Sequence, residues 1–183
     1  ERELMERAIA AIQAGRRREY ELLAQYAPFD TIIPVENTSS LLTSPEIYHR
    51  YSLPHIREFV EIMHGRGKRA VIHMCGHLLA LLGEFKQAGI DGIHALTPPP
   101  VGSCPYDAAF DALGEDLIVI SGIDAAVHSP SATPESIREL AKSLYTPRIK
   151  RSRFISGMGC DGLPTPEWKI EAAVAATREY GRP

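Results

Sequence analysis

The chain has 183 residues, of which 44% are hydrophobic, and its formal net charge at pH 7 is −3. These values suit one domain with a hydrophobic core, so we predict a single domain over residues 1–183. The nearly balanced charge argues against a nucleic-acid partner, and the apolar runs are shorter than the ~20 residues that a membrane span requires. The three cysteines fit free thiols in a reducing compartment better than a disulfide framework, so we expect a cytoplasmic protein.

Helical and extended patterns alternate along the chain. We predict a helix over 1–26 with a break near Gly15, a strand over 31–35, and a helix over 44–65 with a kink at Pro54. Further strands are predicted at 70–72, 90–96, 117–121 and 153–156, and further helices at 78–87, 106–113, after Thr133 and from 165 to about 181. Strands that alternate with helices predict a parallel sheet, because a parallel crossover needs a helix-length connection. Both a doubly wound sheet and a barrel satisfy this pattern.

Polar and metal-binding side chains recur where the predicted strands end. The set comprises Glu36, Asn37, His73, Cys75, His94, Thr97, Asp124, Cys160 and Asp161. In parallel α/β folds, ligands bind at the edge formed by the carboxyl ends of the strands. The pattern therefore predicts a functional site at that edge.

Three of these residues have the side chains of a zinc site. His73 and Cys75 are two positions apart, so both point to the same side of an extended segment. Cys160 follows a later strand within a glycine-rich turn, where the backbone can approach a ligand closely. One imidazole and two thiolates with an open fourth position are typical of catalytic zinc. Glu36 is the candidate for the fourth position at rest, and the alternative is that it only hydrogen-bonds the backbone of its own loop. Spacing alone leaves open the alternative that these cysteines are small apolar core residues.

Six segments together resemble the uroporphyrinogen decarboxylase superfamily. They occur in the family's order: Val35-Glu36-Asn37 followed by Leu53-Pro54, Ile72 to Gly76, Ala88 to Gly92, Gly122 to Asp124, and Gly157 to Pro166. The resemblance implies a (β/α)8 barrel, but it corresponds only to the C-terminal part of the family. We therefore expect a partial (β/α)8 TIM-type barrel of about five parallel strands with outer helices, as a fragment or a split protein.

The resemblance also implies a reaction. Decarboxylases of this superfamily carry histidine at the position of Cys160 and lack the His-x-Cys pair. The branch with His-x-Cys and a distant cysteine consists of zinc-dependent methyltransferases that work with methylated corrinoid proteins. The expected function is exchange of a methyl group, in either direction, between a corrinoid on a partner protein and a small thiol of the coenzyme M type or a methyl ether. His73, Cys75 and Cys160 are the implied zinc ligands.

Glu36 and Asn37 are the expected catalytic residues, because the loops after the predicted strands should converge on the open metal position. Two alternatives to the methyltransferase stay open. One is a decarboxylase of tetrapyrrole synthesis, which needs no metal. The other is a non-catalytic zinc-binding barrel fragment. Five parallel strands cannot close such a barrel, so we expect self-association or a partner fragment to cover the exposed strand edges.

Overall fold

The computed structural model describes residues 1–34, 36–123, 129–157 and 164–182. A parallel sheet lies at its centre, with five strands that neighbour one another in chain order. The strands are β1 (Thr31–Ile32), β2 (Arg69–His73), β3 (Gly92–His94), β4 (Ile118–Ser121) and β5 (Arg153–Ser156). In a barrel, successive strands are added in one direction around the sheet, as here. In a doubly wound sheet, the direction in which strands are added reverses at a switch point. Among the described residues β1 and β5 remain as edges, so the predicted partial barrel is confirmed.

Helices follow each strand and pack outside the sheet. They are α1 (Arg2–Tyr26), α2 (Pro45–Ile47), α3 (Leu53–His64), α4 (Leu82–Ala88), α5 (Tyr106–Leu113), α6 (Pro134–Leu144), α7 (Pro147–Arg151) and α8 (Glu167–Tyr180). A π-helical turn over Tyr48–Ser52 joins α2 to α3. Among the described residues, each helix is too short or too polar to cross a membrane.

Three local features differ from the predicted elements. α1 runs through Gly15 without a break. The kink predicted at Pro54 takes the form of the π turn just before it, since proline has no N–H and the hydrogen-bonding pattern around it must shift. α7 was not predicted as a separate helix, although Thr146 caps it by accepting a hydrogen bond from the Ile149 N–H.

The two faces of the sheet have different surroundings. Strand register aligns His73 with His94, and the same row continues through Ile120 to Ile155. Side chains alternate between faces along each strand, so the next row lies on the opposite face. That row consists of Ile72, Ile93 and Val119, all fully buried, and the half-buried Phe154. Ile155 is 53% exposed, so the row with the two histidines lies on the face that would line the interior of a complete barrel.

Candidate metal centre

The candidate centre begins at the carboxyl end of β2. Ala70, Val71 and Ile72 are fully buried and anchor the strand in the core. His73 ends the strand half-buried, and Cys75 follows as an exposed free thiol. Gly76 then adopts φ 97°, in the left-handed region that favours glycine, and turns the chain away. One strand end therefore carries an imidazole and a thiol two positions apart.

The loop after β1 is tied to this strand end by backbone hydrogen bonds. The N–H groups of Glu36 and Asn37 both donate to the His73 carbonyl, at 3.2 and 3.3 Å, and the His73 N–H donates to the Pro34 carbonyl at 3.1 Å. Asn37 has φ 48°, and its side-chain oxygen Oδ1 lies 3.9 Å from the Cys75 sulfur, which donates to it. The structure thus brings Asn37 and Cys75 together at the edge where both were predicted.

Glu36 lies in a less exposed part of the same loop. Its carboxylate accepts a hydrogen bond from Thr38 Oγ1 at 2.9 Å. Burial raises the pKa of the Glu36 carboxyl, and the hydrogen bond from Thr38 offsets part of that rise. Burial, and then the Glu36 carboxylate, raise the pKa of Tyr48 in the π turn. Glu36 therefore interacts with the adjoining helical layer, and its role at the metal remains a prediction.

His94 is a residue of the site to which the sequence assigned no role. Its Nδ1 lies 2.8 Å from Nδ1 of His73, and the two ring centroids are 4.9 Å apart at an angle of 52°. The signal in the sequence was a histidine at the end of each of two successive apolar strands. The contact between the two side chains follows from the register of β2 against β3, which pairs His73 directly with His94.

The turn that contains Cys75 is packed between two loops. Ser39 Oγ accepts a hydrogen bond from the His77 N–H at 3.2 Å. On the other side, Gly102 approaches so closely that a Cβ added to it would lie 2.6 Å from the Gly76 carbonyl oxygen. Only glycine fits at that distance. The position of Cys75 is therefore held by the loop after β1 and by the loop between β3 and α5.

The available donors match zinc chemistry in part. His73 offers an imidazole nitrogen and Cys75 a sulfur, both common zinc ligands. Cys160, the third predicted ligand, and Asp124 lie outside the described residues. Within the described ranges there is no group of three or more His, Cys, Asp and Glu side chains that could hold a metal ion. A complete zinc site would need a further ligand from outside the described residues, where the predicted ligand Cys160 lies.

Two solved structures share this fold. The HpcH/HpaI aldolase from Desulfitobacterium hafniense superposes with a TM-score of 0.53 at 12% sequence identity, over 91% of this chain and 71% of that one. Citrate synthase SbnG superposes with a TM-score of 0.52 at 11% identity and the same coverage. At such identities these likenesses show the fold alone, and they place the chain among proteins built as (β/α) barrels.

The sequence identifies the family within this fold. The pattern of the family described as Uroporphyrinogen decarboxylase (URO-D) matches residues 24–180, and the chain belongs to that family. It is 26% identical over 152 residues to the methylcobamide:CoM methyltransferase MtbA of Methanosarcina acetivorans, and 22% identical over 153 residues to MtbA of Methanosarcina mazei. Each match covers 82% of this chain and 42% of the relative, so the chain spans less than half the length of these relatives. The predicted resemblance to the methyltransferase branch is confirmed.

Proposed function

We propose that this chain forms the zinc-binding part of a methyltransferase that exchanges a methyl group between a corrinoid protein and a small thiol or methyl ether. The observation that carries the proposal is the pairing of His73 and Cys75 at the end of β2, with Asn37 Oδ1 at 3.9 Å from the Cys75 sulfur. The similarity to two methylcobamide:CoM methyltransferases supports this reaction among those of the family.

In this proposal the chain's own residues bind and orient the substrate. His73, Cys75 and Cys160 hold the metal. Zinc bound there supplies a Lewis acid that keeps a thiol deprotonated at neutral pH. Asn37 is exposed beside Cys75, so its amide can contact an incoming substrate. The Glu36 carboxylate accepts a hydrogen bond from Thr38, and the Glu36 backbone is hydrogen-bonded to His73. We assign this carboxylate to the open zinc position when no substrate is bound.

A methyl group that passes directly between the corrinoid and a small substrate bound at this edge requires the corrinoid protein to make close contact here. The loops around the centre expose large apolar side chains to solvent: Leu41, Leu42, Leu79 and Val101, each between 49% and 83% exposed. Hydrogen bonds from the Ser40 N–H to the His77 carbonyl and from the Leu79 N–H to Ser103 Oγ join these loops into one surface. We propose that the corrinoid protein docks on this surface.

The two edge strands of the sheet support a further part of the proposal. Parallel strands pair on both sides in a closed barrel, whereas β1 and β5 have one neighbour each among the described residues. We propose that the 183 residues form one domain, the C-terminal part of a barrel, and that a second copy or a partner fragment covers its edges.

Zinc-dependent methyl transfer is the test of this proposal. The purified chain, with and without added zinc, is incubated with methylcobalamin as donor and coenzyme M as acceptor, and loss of the cobalt-bound methyl group is followed by visible absorption. We expect transfer with zinc, and none for Cys75→Ala. A zinc-loaded protein without transfer would favour the non-catalytic alternative. Release of CO2 from uroporphyrinogen without metal would favour decarboxylation, to which the family description points.

A further inference from the structure

The side chains of His73 and His94 share a hydrogen bond across the β2–β3 pair. Their Nδ1 atoms are 2.8 Å apart, which is a hydrogen-bonding distance for two ring nitrogens. Both rings are half-buried. A neutral imidazole carries one N–H, so one ring donates through Nδ1 and the other accepts there. The direction of this bond fixes the tautomer of both rings.

The two directions have different consequences for metal binding at His73. If His73 donates through Nδ1, its proton is on that nitrogen and Nε2 carries the lone pair that a metal needs. If His73 instead accepts through Nδ1, its proton is on Nε2, and that nitrogen is not a ligand until the proton leaves. Metal-binding histidines generally donate their other N–H to a fixed acceptor, which orients the ring and raises its affinity for the metal.

The backbone on both sides of His94 is held by hydrogen bonds to neighbouring strands. Its carbonyl accepts from the Met74 N–H at 2.9 Å, directly beside His73. The next residue, Ala95, donates its N–H to the Ile120 carbonyl at 2.7 Å and has φ 64°, which is unusual for a residue with a side chain. His94 is therefore fixed on both sides by neighbouring strands, so its ring presents Nδ1 to His73 from a rigid support.

We propose that His94 is a positioning residue of the metal centre: it accepts the Nδ1 proton of His73 and so presents Nε2 of His73 to zinc. The inference rests on the zinc site proposed above. It adds a residue that touches neither the metal nor the substrate and acts through His73.

Two measurements test this role, and the first needs no metal. In zinc-free protein labelled with nitrogen-15 histidine, long-range proton–nitrogen spectra at a pH where both rings are neutral report which nitrogen carries the proton. We expect the proton on Nδ1 of His73 and on Nε2 of His94, with assignments from His73→Gln and His94→Gln. A proton on Nε2 of His73 would overturn the inference.

The second measurement is zinc affinity by competition with a coloured chelator. His94→Phe keeps a ring but has no acceptor, and should weaken zinc binding about 10- to 100-fold. His94→Gln restores an acceptor and should recover part of that loss, while His49→Phe, on the surface beside Glu84, should bind zinc like the wild type. Unchanged affinity in His94→Phe, when the wild type binds zinc, would overturn this role and leave the proposed function standing. A wild type that binds no zinc would overturn the proposed zinc site, and with it this role.

Discussion

Gly122 and Gly157 meet backbone to backbone where β4 and β5 end. A Cβ added to Gly122 would lie 1.9 Å from the Gly157 carbonyl oxygen, a separation that no side chain tolerates. The Gly157 N–H also donates to the Ser121 carbonyl at 2.8 Å, so this contact continues the strand pairing. Gly157 is three residues before Cys160. Its position therefore sets where the chain that carries the third predicted zinc ligand leaves the sheet.

Gly122→Ala should move these two strand ends apart. Because the clash is with backbone and not with a flexible side chain, we expect a loss of about 1–3 kcal/mol in the free energy of unfolding, together with weaker zinc binding. Urea denaturation and chelator competition measure the two effects. Gly15→Ala is the control, since nothing lies within 4 Å of a Cβ at Gly15 in the middle of α1 and alanine favours the helix. A Gly122→Ala protein with wild-type stability would contradict the prediction.

A carboxylate with a structural role, that of Asp91, lies where the strands begin, at the end of the sheet opposite to the candidate metal centre. Asp91 Oδ2 accepts from the Ala70 N–H and lies 2.7 Å from His64 Nε2, while Oδ1 accepts from Arg69 at 3.2 Å. Burial alone would raise the pKa of Asp91, but the hydrogen bonds from Ala70, His64 and Arg69 outweigh it and lower the pKa. The carboxylate thus ties the end of α3 to β2 and β3, on the side of the sheet away from the candidate metal centre.

Asp91→Asn should destabilise the fold by about 1.5–3 kcal/mol without changing zinc affinity. In the wild type the folded pKa of Asp91 lies below the unfolded one, so its stabilisation is present above about pH 4 and is lost as the pH falls through the folded value. Denaturation curves at pH 7 and pH 3.5 should therefore differ less for Asp91→Asn than for the wild type. Asp116→Asn, at a side chain 92% exposed, is the control and should change stability by less than about 0.5 kcal/mol.

Local sequence signals predicted several elements at their observed bounds. α5 begins and ends at the predicted residues, as does β5, because the pattern of apolar side chains and the adjoining turn residues both lie within the segment. Thr133 caps α6 as predicted: its side chain accepts a hydrogen bond from the Ser136 N–H, and its own N–H donates to Ser136 Oγ. Within the described part of the predicted strand over 31–35, Thr31 and Ile32 pair in register with Arg69 and Ala70 of β2, and beyond them the Pro34 carbonyl accepts a single hydrogen bond from the His73 N–H. Strand length thus depends on the neighbouring strand as well as on the strand's own residues.

The same dependence on neighbouring segments limits what the sequence predicts about the candidate site. The placement of His73, Cys75 and Asn37 at one end of the sheet was predicted from residue type and from their positions after strands, which are local features. The hydrogen bond between His73 and His94 depends on strand register, and the close approach of Gly102 to Gly76 depends on how two loops pack. Both are relations between distant segments, so no pattern within either segment contains them.

Cysteine labelling provides a separate test of the metal centre. Cys75 is exposed, whereas Cys104 is fully buried and burial raises its pKa to about 11, so at pH 7.5 Cys104 stays a neutral, shielded thiol. We expect iodoacetamide to modify Cys75 in the metal-free protein, and one zinc ion per chain to protect it. Mass spectrometry of peptides locates the modification. Cys104→Ala should leave protection intact, whereas Cys160→Ala should abolish it; equal labelling of Cys75 with and without zinc would contradict the proposed ligand set.

The exposed inner face of β5 should mediate association. Ile155 lies on that face at an edge of the described sheet and is 53% exposed, and unpaired strand edges recruit further strands. We expect the purified chain to self-associate in sedimentation velocity at micromolar concentration, and Ile155→Lys to shift it towards monomer. Val174→Lys, on the outer helix α8 at 39% exposure, is the matched control. A wild type that is monomeric throughout would contradict self-association.

The role proposed for Glu36 can be tested separately from that of the proposed metal ligands. Glu36 and Asn37 are both anchored to the His73 carbonyl through their backbones, so a side-chain substitution need not move the loop. Glu36→Gln keeps the size of the side chain and an oxygen that can accept from Thr38, but it removes the negative charge. Because the three stronger donors remain, we expect zinc content close to the wild type and methyl transfer at least 10-fold slower, whereas Cys75→Ala should lose both. Glu46→Gln, at an exposed position of α2, is the control and should change neither zinc content nor methyl transfer.

X-ray absorption at the zinc edge tests the position of Glu36 directly. If Glu36 occupies the fourth zinc position at rest, its oxygen should be replaced by sulfur when coenzyme M is added. A set of zinc ligands that is the same before and after addition would rule this role out.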